Sequence, residues 1–129
     1  MQTRTQTILE LRGTSLGTIN IETSEPEFFQ NTVLRPILKF QNELIIAVFQ
    51  EYISICKNKY TTFSIDKKMA FVENSITKDV NLKNTFKGIV IGLFTSKEFE
   101  IYSKNSSHYN KRIMAMIVER IKSQLQIFE

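Results

Sequence analysis

The chain has 129 residues, of which 42% are apolar and 23% charged, with only four glycines and two prolines to interrupt regular structure. That length suits one domain able to bury about two-thirds of its unfolded surface, so no metal or disulfide is required to hold it, and the scarcity of breakers favours helices. A single cysteine, Cys56, excludes an intramolecular disulfide and fits a reducing, cytoplasmic setting, while no apolar run approaches the roughly eighteen residues of a spanning helix and no secretion signal is expected.

The net charge is +4, unevenly placed. Residues 1–27 carry two basic and four acidic side chains, leaving 15 basic against 9 acidic in the remainder. A mildly basic body of this kind meets nucleic acid or an acidic partner, or carries a solvated lysine face.

Residues 1–23 are rich in threonine, and Gly13 and Gly17 bound a loop between two β-branched pieces, 7–11 and 18–21. The pattern predicts short extended pieces, or an arm lying on residues 24–129 or on a neighbouring molecule, because two strands alone are marginal in water. The Gly13 to Gly17 spacing lacks the following Lys-Ser or Lys-Thr of a phosphate-cradling loop. Ser24 and Glu27 then form a capping-box pattern around Pro26, which opens a helix with Phe28, Phe29, Val33 and Leu34. Pro36 is expected to end or kink it.

From Pro36 the pattern Ile37, Leu38, Gln41, Leu44, Ile45, Val48, Phe49, Tyr52, Cys56 recurs at three- and four-residue steps, predicting a helix over 36–59. Its six consecutive apolar residues, 44–49, predict a helix buried around most of its circumference and enclosed by the others. Ser64 or Ile65 opens a helix with Ile65, Met69, Val72 and Ile76 on one side. Asp79 or Asn81 opens the next, where Gly88 and Gly92 would let a neighbouring helix approach closely. A strand over 89–94 is the competing reading of that apolar run.

Thr95 and Glu98 form a second capping box, starting a helix that turns Phe99 and Tyr102 inward until Asn105, Ser106 and Ser107 break it. The last helix, 107–128, places Ile113, Ile117, Ile121, Leu125 and Phe128 along one stripe. The fold class expected is therefore all-α: five to six helices bundled around a central buried helix, with an extended N-terminal arm.

Chemistry is sparse. His108 is the one histidine, which excludes multi-histidine metal sites, and it lies among Lys104, Lys111 and Arg112. Cys56 reads as a buried structural thiol. Glu43, Glu51, Glu73 and Glu98 show no spacing that demands a shared acid–base site. No catalytic residue, metal or cofactor is assigned. The surface candidates are Lys104, His108, Lys111, Arg112, Arg120 and Lys122, where cations beside Ser106, Ser107 and Asn110 suit phosphate contacts, although Tyr109 alone is placed for base stacking. A pocket near Tyr102, His108 and Arg112 is a further reading.

Residues 34–42 (Leu-Arg-Pro-Ile-Leu-Lys-Phe-Gln-Asn), 87–95, and 105–107 with Asn110, Lys111 and Arg112 resemble a small family of uncharacterised bacterial helical proteins, some carrying a glyoxalase label. That resemblance implies the helical fold and supplies no site residues. The glyoxalase fold pairs βαβββ modules around a metal held by His, Glu and Gln, and one histidine with so little strand does not fit it. The pattern favours a protein-interaction module, with the apolar surplus either covered in a homodimer or satisfied within one bundle. The alternatives are a nucleic-acid-binding protein and a small-molecule-binding protein or enzyme.

Overall fold

The computed structural model describes residues 3–13, 26–56 and 59–128, and among these there is no strand. The helices are α1 (Arg4–Leu11), α2 (Pro26–Phe29), α3 (Arg35–Cys56), α4 (Ile65–Lys78), α5 (Val80–Ile91), α6 (Ser96–Ser103) and α7 (Ser106–Lys122). A π-helical turn, Gln30–Leu34, joins α2 to α3 without a break, so six continuous helical segments make an all-α bundle.

Capping residues set most of the boundaries. Ser64, Asp79 and Thr95 accept backbone N–H groups of Lys67, Leu82 and Glu98, and at Thr95 the Glu98 carboxylate returns the bond. The apolar run after Phe86 is helix as far as Ile91, not strand. Phe29, Ile37, Ile45, Phe49, Ile76, Phe86, Val90, Ile113, Ile117 and Ile121 are all fully enclosed at the centre. The stripe read along the last helix is buried throughout, although α7 stops at Lys122 and a 3-10 turn, Leu125–Phe128, completes it.

Four expectations are corrected. The piece over 7–11 is helical: Thr3 accepts from the Gln6 N–H, the Gln6 side chain returns the bond, and Gly13 at φ 69° closes the helix in the left-handed region that favours glycine. The partner piece, 18–21, lies outside the described residues. Second, α3 is not enclosed. It buries Ile45, Ile46 and Phe49 but leaves Leu44 and Ala47 exposed, because neighbours cover only one half of its circumference. Third, Cys56 is exposed at the last turn of α3, and Phe99, Ile65 and Met69 also face outward. α4 is rotated so that Val72, Ser75, Ile76 and the stem of Lys68 pack inward. Fourth, no helix approaches the glycines of α5. A Cβ at Gly88 would meet nothing within 4 Å, and one at Gly92 would meet only carbonyls of its own helix.

Pro36 neither ends nor breaks the helix, and the π turn lies immediately before it. The proline has no N–H for the Thr32 carbonyl four residues back. That carbonyl instead accepts from Arg12 Nη2 at 3.4 Å. The wide turn also changes the phase of everything upstream. Phe29 precedes Phe40 by eleven residues, about three turns of an unbroken α-helix, which would put Phe29 on the exposed side with Phe40. Instead Phe29 is fully buried against Tyr109 and Phe94, with ring centroids at 4.6 and 5.7 Å.

The two basic residues of the acidic N-terminus hold α1 in place. The carbonyls of Gly92, Leu93 and Phe94 lie in the turn that leads from α5 to α6. Arg4 donates to the carbonyls of Phe94 and Gly92, and Arg12 to that of Leu93. Arg12 is buried and forms a two-point ion pair with Glu98, Nη1 to Oε1 at 2.7 Å and Nη2 to Oε2 at 3.1 Å. Glu98 Oε1 is the same oxygen that accepts the Thr95 N–H in the cap of α6. One guanidinium thus ties α1, the π turn, the end of α5 and the start of α6.

Truncating one partner of a buried pair strands the other charge away from water. Glu98→Ala is expected to lower unfolding free energy by about 3–5 kcal/mol in urea titrations, whereas Arg12→Met with Glu98→Leu should lie much nearer the native value.

Candidate functional site

The long face of α7 separates two clefts. On one side, residues at a helical stride on α7, His108, Arg112, Met116 and Arg120, followed by Ser123 at its C-cap, look across at the α2–π–α3 segment. Asn42 of α3 and Gln124 exchange amide hydrogen bonds at 2.9 and 3.0 Å, and Arg120 Nη1 adds a donor to Asn42 Oδ1 at 3.3 Å. These bonds hold α3 beside the C-terminal part of α7. At the other end, Phe29 under Tyr109 seats α2 on the first turns of α7.

Between these clamps lies a cleft of about 1010 Å³, continuous through shared walls with a smaller one of about 450 Å³ at the Pro26 end. The cations open to it are Arg35, Lys39, Arg112 and Arg120, with His108 at the smaller end, against the two acids Glu27 and Glu119; Arg12 lies beneath its wall, enclosed and paired with Glu98. Arg35 and Lys39 stand one turn apart on α3.

The guanidinium groups are held by neutral acceptors. Arg35 Nε donates to Asn31 Oδ1 at 2.9 Å, and Arg112 Nη2 donates to Gln30 Oε1, both acceptors being on the π turn. Among the described residues each arginine therefore has one N–H engaged and others left to face a ligand. Two donors have no partner among the described residues, Arg12 Nε and His108 Nε2, both out of contact with solvent. Burial lowers the proton affinity of Arg120, and the charge of Arg35 lowers it further, so the cations converge closely enough to repel. An anion in the cleft would relieve that repulsion and occupy the free donors.

The sequence candidates are divided by this arrangement. His108, Arg112 and Arg120 come together here. Lys111 and Lys122 line the opposite cleft, where Lys122 pairs with Glu73 at 3.0 Å. Lys104 is exposed in the turn between α6 and α7 and lines neither. Tyr102 does not join His108 and Arg112 in a pocket: it is buried and donates its hydroxyl to Asn110 Oδ1 at 2.6 Å. Sequence reading missed Arg12, Gln30, Asn31, Arg35 and Lys39. The available signal was the cationic pair Arg35 and Lys39, one turn apart and flanking Pro36.

Among the described residues no three His, Cys, Asp or Glu side chains gather as a metal site would require, and no helix is long and apolar enough to cross a membrane. Comparison with protein-family models, curated proteins and solved structures returns no match.

Tyr109, beneath the small end of the cleft, has its phenol pKa raised by burial, and burial is also the largest cause of the rise at Tyr52. The neutral phenol is thus favoured in the fold. Its contribution is complete below the unfolded value near pH 10 and is lost as pH climbs through the folded value. Tyr109→Phe should therefore flatten the alkaline fall in stability, measured by urea titrations between about pH 9 and pH 11, with Tyr52 contributing to the slope that remains.

Proposed function

We propose that this chain is a small helical protein-interaction module whose basic cleft takes an acidic segment of another protein. The observation that carries the reading is the pair Arg35 and Arg112, aimed from two helices and each held by a neutral amide of the π turn. Guanidinium groups fixed in this way match carboxylates with little ordering left to do. From residue 108 to 123 the α7 wall is about 22 Å long, which an extended peptide of about seven residues would span.

Carboxylates are favoured over a nucleic-acid strand by the rest of the lining. Apart from the His108 ring no aromatic side chain among the described residues lines the cleft, so unstacked bases would find no platform there. A cytoplasmic setting belongs to the same proposal, since the exposed single thiol of Cys56 would couple to other thiols in an oxidising compartment.

The test is fluorescence anisotropy with labelled deca-glutamate, deca-glutamine and a ten-nucleotide oligo(dT). Deca-glutamate should bind with affinity that falls as salt rises, deca-glutamine should not, and Arg35→Glu with Arg112→Glu should weaken binding at least about tenfold, the effect of roughly 1.4 kcal/mol. Tighter binding of oligo(dT) would replace this reading by the nucleic-acid one.

A second reading, self-association, is favoured by the outer side of α3, where Phe40 and Leu44 are each 47% exposed and Ala47 continues their stripe. A surface of this kind is normal for an interface and uncommon on a free helix. Light scattering during size exclusion should then give twice the chain mass of 15.1 kDa, and Leu44→Lys should return it to that value.

A further inference from the structure

On the opposite side of α7 from the basic cleft lies a second depression, of about 530 Å³, walled by α4 and α5. We propose that it is a separate binding site for a small amphipathic anion, a molecule with an apolar body and one carboxylate of the medium-chain fatty-acid type. The proposal does not depend on the function argued for the basic cleft, with which this depression shares only Ala115 and Glu119 along the crest of α7.

Three observations converge. The floor is apolar, made by Met114 and Val118 at a four-residue step on α7, with the exposed Ala115 at its edge. The volume lies within the range of about 300–1,000 Å³ usual for small-molecule sites, whose walls are mainly apolar with a few placed polar groups. The charge on the rim is one-sided where it is free. Lys122 and Glu73 neutralise one another across the mouth at 3.0 Å. Lys83 and Lys87 then stand one turn apart on the α5 wall, and Lys111 stands on α7, against Glu119 alone on the crest.

The hydrogen-bonding groups agree with an anion. Asn110 uses its carbonyl oxygen to accept the Tyr102 hydroxyl, which fixes the amide and leaves its NH₂ group available toward the lining it shares with Lys111. Lysine stems cover apolar surface while their ammonium groups stay at the rim, so an apolar tail can lie on Met114 and Val118 with its carboxylate beside Lys83 and Lys87. A cation of the same shape would meet net positive charge, and a short anion would gain nothing from the floor.

The experiment is isothermal titration of the full chain with decanoate, decylamine and acetate, each below its aggregation concentration. Decanoate should bind saturably at one site per chain, and decylamine and acetate should not bind. Lys83→Glu with Lys87→Glu should weaken decanoate at least tenfold. Lys97→Glu with Lys104→Glu makes the same change in net charge at exposed positions outside the cleft and should leave the affinity within twofold. Should the α5 reversal disturb the helical circular-dichroism signal, Lys83→Gln with Lys87→Gln carries the same expectation with a smaller loss. Absence of decanoate binding, equal binding of decylamine, or decanoate affinity unchanged in a folded α5 variant would each overturn the proposal. Acidic-peptide binding to Arg35 and Arg112 can fail without affecting any of these outcomes.

Discussion

The arrangement of this molecule depends on one guanidinium group out of reach of water. Arg12 has a fully enclosed side chain, and its position is fixed by Glu98, by the Leu93 carbonyl in the turn after α5 and by the Thr32 carbonyl, to which Pro36 has no N–H to offer. Removing a guanidinium and a carboxylate from solvent carries a desolvation penalty of several kcal/mol per ion that the attraction between them does little more than offset. The pair therefore does little for net stability in comparison with an apolar substitute. Its effect is directional, since the charge is satisfied in a single arrangement of four elements.

That arrangement reaches the basic cleft through the backbone. Thr32 sits next to Asn31 and two residues from Gln30, the amides that orient Arg35 and Arg112. Arg12 also lies beneath the wall of the same cleft. The internal ion pair and the surface cations thus share one turn of helix, and the chain presents two kinds of recess on either side of α7. One is long and cationic, with Pro36, Leu38 and Met116 between its charges. The other is shorter, with methionine and valine at its base and lysines at its rim.

Much of the fold was legible because its signals are local. Ser64, Asp79 and Thr95 cap where their side-chain oxygens suggest, and the α7 stripe from Ile113 to Phe128 is buried as its spacing implies. What was not legible depends on long-range partners. The threonine-rich start favours strand by composition, yet a capping box at Thr3 and contacts of Arg4 and Arg12 with residues more than eighty positions away secure a helix. The apolar run 44–49 carries no information about how many neighbours surround it, and Leu44 and Ala47 are left uncovered. For the site, half of the cationic candidates came together because residues 108, 112 and 120 keep one helical phase. Lys111 and Lys122 are out of phase with them, and the opposing wall of Arg35 and Lys39 comes from a segment more than seventy residues earlier.

The π turn at Gln30–Leu34 has a consequence for chain length. Such a turn accommodates one residue more than the α-helix around it needs, so the loss of any one residue there leaves a regular helix and keeps the residues before it on their present faces. Phe29 would then stay on the side of Tyr109 and Phe94, and the change would be confined to the turn itself, where Gln30 and Asn31 reach Arg112 and Arg35. A homologue aligned with a single-residue gap between positions 30 and 34 can therefore keep the Phe29 contact and yet lose the paired-arginine geometry, even if every cation in its sequence were retained.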